Sequence, residues 1–296
     1  MSSSSAVETS LEKRSLDVGG RTRTFEVVKG AATSGKPAVL LVFHGSNQSG
    51  RRFRASTNES FDELTSDGAA LVAYLDGYKA HWNDARVTID FAARKEGVDD
   101  VAFTRAVIDD LVAADGADRE RVYAFGYSNG GQLVLRLAIE APELLAGMAL
   151  VGASQPVDGN LVVEHPRSKR LPAVLIHGTK DPLVPYAGGV ASLWGFRPRG
   201  EVMSAPASAR YLADRNGITT PSAATRISDD VDVAEYRADG TPPVVLYTIR
   251  GGGHTVPGRK SFPRIMGRTS HSFDTATVVA EFFGLSARSE PGGNEQ

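Results

Sequence analysis

A chain of 296 residues that is 41% hydrophobic and 23% charged has the composition of a soluble globular protein and the length to bury one extensive core. Its net charge of −2 leaves no electrostatic footprint for DNA, RNA or anionic lipid, and no apolar run approaches membrane-spanning length, so neither nucleic acid nor a membrane is an expected partner. The lack of cysteine excludes a disulfide framework, a thiolate metal site and a cysteine nucleophile; with no apolar secretory core near the N-terminus, it points to the cytoplasm.

Residues 1–20, serine-rich and charged, read as a flexible arm, and 287–296 as a disordered tail. The stretch between them, 21–286, is expected to form a single domain. "RTFEVVKG" is an early strand. "AVLLVFHG" (38–45) is a continuous apolar run closed by glycine, as in a strand buried on both faces. Residues 51–66 read as one polar helix carrying Phe53, Phe61 and Leu64, and "AALVAYLDG" (69–77) as another buried strand. "GVDDVAFTRAVIDDLVAADG" repeats its apolar residues at helical spacing, with Asp99 and Asp100 in the first turn and Gly116 past the end.

"RVYAFGYS" is a strand and "GGQLVLRLAIEAPE" a helix stopped near Pro142. "LAGMALVGAS" and "LPAVLIHGT" (171–179) are further buried strands, and 204–216 a helix. The stretch 224–241 carries no decisive pattern. "PVVLYTIRGGGH" is a last strand and "SFDTATVVAEFFGL" a last helix. Apolar strands alternating with helices predict an α/β fold, a mostly parallel sheet covered on both faces.

At residues 126–130, Gly-Tyr-Ser-Asn-Gly sits where a buried strand gives way to a helix. A lone G-x-S-x-G is weak evidence, because a serine that merely caps a helix in a glycine-rich turn gives the same string. The flanking strand and helix are what a nucleophile elbow requires. Its turn is tight enough to strain the serine backbone, and the positions two before and two after must lack bulk. Ser128 is therefore the candidate nucleophile.

A serine hydroxyl needs a base, and the base needs an orienting acid. Of the six histidines, His254 directly follows the last strand on the glycine-rich loop "GGGHTVPG". Asp181, two residues past the strand 171–179 and fixed by Pro182, is the candidate acid, with Asp158 as its competitor. The expected oxyanion donors are the backbone amides of Asn129, after the nucleophile, and of Ser46, in the loop "FHGSNQSG" after an earlier strand.

"LLVFHGSNQSG", "HWNDAR", "GVDDVAFTRAVIDDL", "RVYAFGYSNGG", "HGTKDPLVPYAGG", "NGI" and "GGGHTVPG" occur in the order found in polyhydroxybutyrate depolymerase-type esterases, relatives of the feruloyl and acetylxylan esterases. The resemblance runs from about residue 22 to residue 285. It implies an α/β-hydrolase fold, serine carboxylesterase chemistry, no cofactor, and Ser128, Asp181 and His254 as the triad. Many relatives have cysteine where this chain has Ile218 and tryptophan where it has Val256, and no appended substrate-binding domain is expected. Ester hydrolysis carries over; polyhydroxybutyrate as substrate does not.

By the same resemblance Trp82 and Asn83 lie beside the active site and Val256 in the pocket wall, while His44 and Gln48 are expected in the pocket, bracing the oxyanion loop. Trp194 and Phe196 are candidates for an apolar wall. With no H-E-x-x-H and no clustered His/Asp spacing, no metal is expected. The expected partner is a small-molecule or oligomeric ester. The rival readings are a peptidase or thioesterase on the same fold, and a hydrolase-fold binding protein without turnover.

Overall fold

The computed structural model describes residues 9–30, 35–163, 169–220 and 222–285. Uninterrupted apolar runs become the sheet centre: β3 (Ala38–Phe43) and β4 (Ala70–Leu75) are buried at every position. They follow β1 (Ser10–Val18) and β2 (Arg21–Lys29), and precede β5 (Val122–Tyr127), β6 (Gly147–Val151) and β7 (Ala173–Gly178). A small hairpin, β8 (Gly189–Val190) with β9 (Glu201–Val202), stands apart from the sheet. The last strands are β10 (Ala223–Ser228), β11 (Val231–Tyr236) and β12 (Val244–Ile249).

The strand order is β1-β2-β4-β3-β5-β6-β7-β12-β11-β10. From β4 to β12 all neighbours are parallel, and antiparallel pairs extend the sheet at both edges. The helices are α1 (Gly50–Ser56), α2 (Ala92–Lys95), α3 (Asp100–Asp115), α4 (Asn129–Glu140), α5 (Ala205–Asn216) and α6 (Thr275–Phe283).

The period of two along each strand sorts side chains into two core layers. Val39, Leu41 and Phe43 pack with Val107 and Leu111 of α3, Leu133 and Leu137 of α4, and Leu212 of α5. Leu40 and Val42 point the other way, to Phe53 of α1, Phe61, and Val279 and Phe283 of α6. Sandwiched between these layers, the parallel strands have no polar face, which is why they read as continuous apolar runs.

The topology also places a crevice. β4 lies on one side of β3 and β5 on the other, so the chain leaves the carboxyl ends of these adjacent strands in opposite directions. Such a switch point opens a cleft above the sheet, where α/β proteins bind ligands. Here the diverging segments carry Ser46 and Ser128.

Two expectations fail. Residues 10–18 of the anticipated arm form an edge strand. A Gly19–Gly20 turn with positive φ closes a two-residue hairpin, and Arg14 binds Asp110 and Asp115 of α3 at 2.8 and 2.6 Å. Leu16 and Val18 pack on the core. The anticipated helix 51–66 breaks at Asn58 and Glu59, both with positive φ, into α1 and a 3₁₀ segment, Ser60–Thr65. Asp62 docks that segment, accepting from Tyr74 Oη at 2.6 Å and Arg54 Nε at 2.8 Å. The undecided stretch 224–241 supplies most of the β10–β11 hairpin. The expected tail, 287–296, lies outside the described residues.

Candidate active site

Ser128 joins β5 to α4 with φ 54° and ψ −115°, a conformation that costs a non-glycine residue on the order of 1–3 kcal/mol. Surrounding hydrogen bonds hold the strain: its amide donates to the Val151 carbonyl at 2.9 Å, and its carbonyl accepts from Gln132 N at 3.0 Å. The tightness of the elbow explains its glycines. A Cβ on Gly126 would lie 2.5 Å from the Gly130 carbonyl oxygen, and one on Gly130 would lie 2.1 Å from that of Phe43. The Ser128 side chain makes no capping bond to the helix and faces a cavity.

His254 and Asp181 converge from loops after β12 and β7. His254 Nδ1 lies 2.6 Å from Asp181 Oδ2, and the other carboxylate oxygen accepts from Leu183 N and Val184 N, each at 2.8 Å. Burial works against the charge on Asp181, but His254 and His177, the latter at 3.4 Å, hold its carboxyl well below the ordinary range. A carboxylate there takes the Nδ1 hydrogen and leaves the Nε2 lone pair free. Nε2 is buried and has no partner among the described residues; it makes no hydrogen bond to Ser128 Oγ, although both residues line one cavity. In unliganded enzymes that bond is often open and tightens when substrate binds. Asp158, the competing acid, is exposed on a short 3₁₀ turn.

The amides of Ser46 and Asn129 donate to no acceptor among the described residues. The loop carrying Ser46 is fixed through its peptide planes. His44 Nε2 accepts from Gly77 N at 2.9 Å, so its Nδ1 carries the hydrogen and donates to the Gly45 carbonyl at 2.7 Å. That carbonyl and the Ser46 amide belong to one planar trans peptide, so holding the C=O aims the N–H the opposite way. Gln48 Oε1 accepts from Gly45 N at 3.0 Å. Burial pulls the His44 imidazole down to about 4, keeping it neutral for this task.

The cavity encloses about 220 Å³ and is lined by Ser46, Gln48, Tyr127, Ser128, Trp194 and His254, among others. Five pocket expectations are not met. His44 is fully buried and off the cavity wall. Trp82 is fully buried and donates to the His44 carbonyl at 2.9 Å; Asn83 donates to the Val98 carbonyl at 2.8 Å; Val256 joins the core layer of α6. Each supports the wall without being part of it. Phe196 is 77% exposed and also off the wall.

Sequence reasoning missed two residues, Tyr127 and Gly152, and the role of the Asn129 side chain. Tyr127 Oη donates to the His254 carbonyl at 2.7 Å and so ties the base's loop to the nucleophile's strand. Gly152 lies behind the His254 ring. Asn129 ties the start of α4 to the segment beside it, accepting from Trp82 N at 2.9 Å and donating to Asp84 at 2.6 Å. Only Tyr127 carried a signal, as a bulky polar residue inside a buried strand.

Comparison with known proteins places the chain in a family. The phospholipase/carboxylesterase family profile matches residues 26–193, more than half of the chain. The chain is 30% identical over 292 residues to the protein named "Putative esterase NocK" of Nocardia uniformis subsp. tsuyamanensis, covering 91% of this chain and 81% of the other. Feruloyl esterase B of Piromyces equi is 28% identical across 75% of this chain, which spans 40% of that enzyme. The structure of acetyl xylan esterase from Aspergillus awamori aligns with a TM-score of 0.63 over 94% of this chain and 100% of that one; at 14% identity this is a likeness of fold.

Proposed function

This chain belongs to the phospholipase/carboxylesterase family and is a carboxylic ester hydrolase of the α/β-hydrolase fold; we propose that Ser128, His254 and Asp181 are its catalytic triad and that the Ser46 and Asn129 amides form its oxyanion hole. Ser128 Oγ attacks the ester carbonyl carbon as its proton passes to His254 Nε2. The carbonyl oxygen, now negative, accepts from the two unpaired amides. The bond to the alcohol oxygen breaks as the proton moves from Nε2 to that oxygen. Water then attacks the acyl-Ser128 ester by the same route and regenerates the serine.

The observation that carries this reading is the state of His254. Its tautomer is set by the 2.6 Å bond to Asp181, and its Nε2 has no partner among the described residues and borders the cavity that Ser128 lines. Gln48 and Trp194 belong to the substrate wall in this reading. The substrate is a small or oligomeric ester, and the likeness to polyhydroxybutyrate depolymerase-type esterases concerns the chemistry. A cytoplasmic location is part of the same proposal, supported by the lack of cysteine; among the described residues no helix is long and apolar enough to cross a membrane.

The test compares turnover of short-chain p-nitrophenyl esters, thioesters and aminoacyl amides by wild-type protein and Ser128→Ala. We expect the esters to be the best substrates and Ser128→Ala to lose turnover by several orders of magnitude. Wild-type-like ester turnover in Ser128→Ala contradicts the assignment, and a preference for amides or thioesters replaces the substrate reading with that of a peptidase or thioesterase.

A further inference from the structure

The cavity that Ser128 lines is apolar over much of its wall, with Leu183, Leu193, Trp194, Phe262 and Met266, yet that wall also includes Arg199. Other buried or partly buried arginines here are spent on ion pairs or carbonyls: Arg14 on Asp110 and Asp115, Arg23 on Asp100, Arg86 on Asp84, Arg136 on Glu140, and Arg94 on the Asp84 and Arg86 carbonyls. The Arg199 guanidinium has no hydrogen bond and no ion pair among the described residues. It lies over the face of Phe91, 5.0 Å from the ring centroid, and Phe91 stacks on His81 at 4.0 Å.

The two carboxylates that favour its charge, Asp84 and Asp90, each face another cation. Asp84 is bound to Arg86 and Asn129, and Asp90 faces Lys95 at 3.8 Å. Burial first, and the Arg86 charge second, draw the Arg199 guanidinium below its ordinary range, against the smaller opposite pull of Asp84 and Asp90.

The backbone holds this cation in place. Arg199 N donates to the Ala191 carbonyl at 2.7 Å and Ala191 N to the Gly200 carbonyl at 3.0 Å, closing the hairpin of β8 and β9. The Arg199 carbonyl accepts from the buried Asn160 Nδ2 at 3.4 Å. A cation–π contact orients a guanidinium without neutralising it, and its planar fork suits a carboxylate.

We propose that Arg199 is a specificity-determining residue that pairs with a carboxylate on the substrate, so that the preferred substrates are esters with an apolar body and an anionic group. The apolar wall takes the body and Arg199 the charge. The cavity of about 220 Å³ lies below the roughly 300–1,000 Å³ of drug-sized sites, so the part of the substrate it holds is compact, such as a single aromatic ring bearing a carboxylate. This inference rests on the assignment of Ser128 as nucleophile.

The test measures kcat/KM for two isosteric pairs, para-acetoxybenzoate against para-acetoxybenzamide and monomethyl terephthalate against its carboxamide analogue. The charge lies on the alcohol side in one pair and on the acyl side in the other. Wild type and Arg199→Gln are compared, with covalent labelling of Ser128 by a fluorophosphonate in parallel. We expect the wild type to favour the anionic member of at least one pair by about tenfold or more, chiefly through KM, and Arg199→Gln to erase that ratio. A labelled Ser128 with equal rates within both pairs, or a preference that survives Arg199→Gln, overturns the role of Arg199 and leaves the triad standing. Failure of wild-type Ser128 to label overturns the triad, and this inference with it.

Discussion

Gly152→Ala adds one methyl group behind the proposed base. Gly152 follows β6 with φ +59°, and a Cβ built there would lie 2.9 Å from both Cε1 and Nδ1 of His254. Non-bonded carbons settle at roughly 3.5–4.0 Å, so the imidazole must retreat by about 0.5–1 Å. It has little slack, because Nδ1 is bound to Asp181 at 2.6 Å and the His254 carbonyl to Tyr127 at 2.7 Å. A misplacement of about 1 Å at a reacting group can cost on the order of a hundredfold in rate. Alanine in the left-handed region adds about 1–2 kcal/mol of backbone strain. Steady-state kinetics on a p-nitrophenyl ester should therefore show kcat down about tenfold to a hundredfold. Thermal unfolding followed by circular dichroism should show a folded protein with Tm a few degrees lower. A folded Gly152→Ala with wild-type kcat would refute the claim that the observed position of His254 is the working one.

The Tyr127 hydroxyl is the partner of a buried carbonyl, so Tyr127→Phe should lower the urea-unfolding free energy by about 1–3 kcal/mol and reduce kcat; no change in either contradicts its role as a tether for His254. The His44 imidazole, held down to about 4 by burial, implies a pH dependence of stability. Between the ordinary histidine value near 6.5 and about 4 the unfolded chain binds a proton that the folded chain refuses. That stability is therefore complete above about pH 6.5 and is lost as the pH falls toward 4, to a limit of about 3 kcal/mol. Urea unfolding of wild type and His44→Gln across this window tests it. The variant should show the shallower slope, and equal slopes would mean that His44 is not neutral and buried in solution.

What was legible in the sequence follows from where local chemistry decides structure. The central strands could be read because burial on both faces forces every position to be apolar, as in Ala38–Phe43. Ser128 could be read because a strained elbow between strand and helix admits glycine alone at positions 126 and 130, where any Cβ meets backbone. His254 and Asp181 were accessible as polar residues just past apolar strands. β1 was not legible, because an edge strand with one face in water carries polar side chains and is held by ion pairs to a helix about a hundred residues away. The break at Asn58–Glu59 answers to Tyr74 and Arg54, which no local pattern reveals. Trp82, Asn83 and Val256 are near the site yet beneath its surface, a distinction of depth that motif order does not carry. Gly152 and Arg199 matter through what folds against them.

The central claim is that ester hydrolysis passes through a covalent acyl group on Ser128. Acid quench during turnover of p-nitrophenyl acetate, followed by intact mass and peptide mapping, tests it most directly. The account predicts one added acetyl group in the peptide containing Ser128 and none in Ser128→Ala. A full burst of p-nitrophenol with the acetyl group on another residue, or turnover with no acyl-enzyme under conditions where deacylation limits the rate, would contradict it.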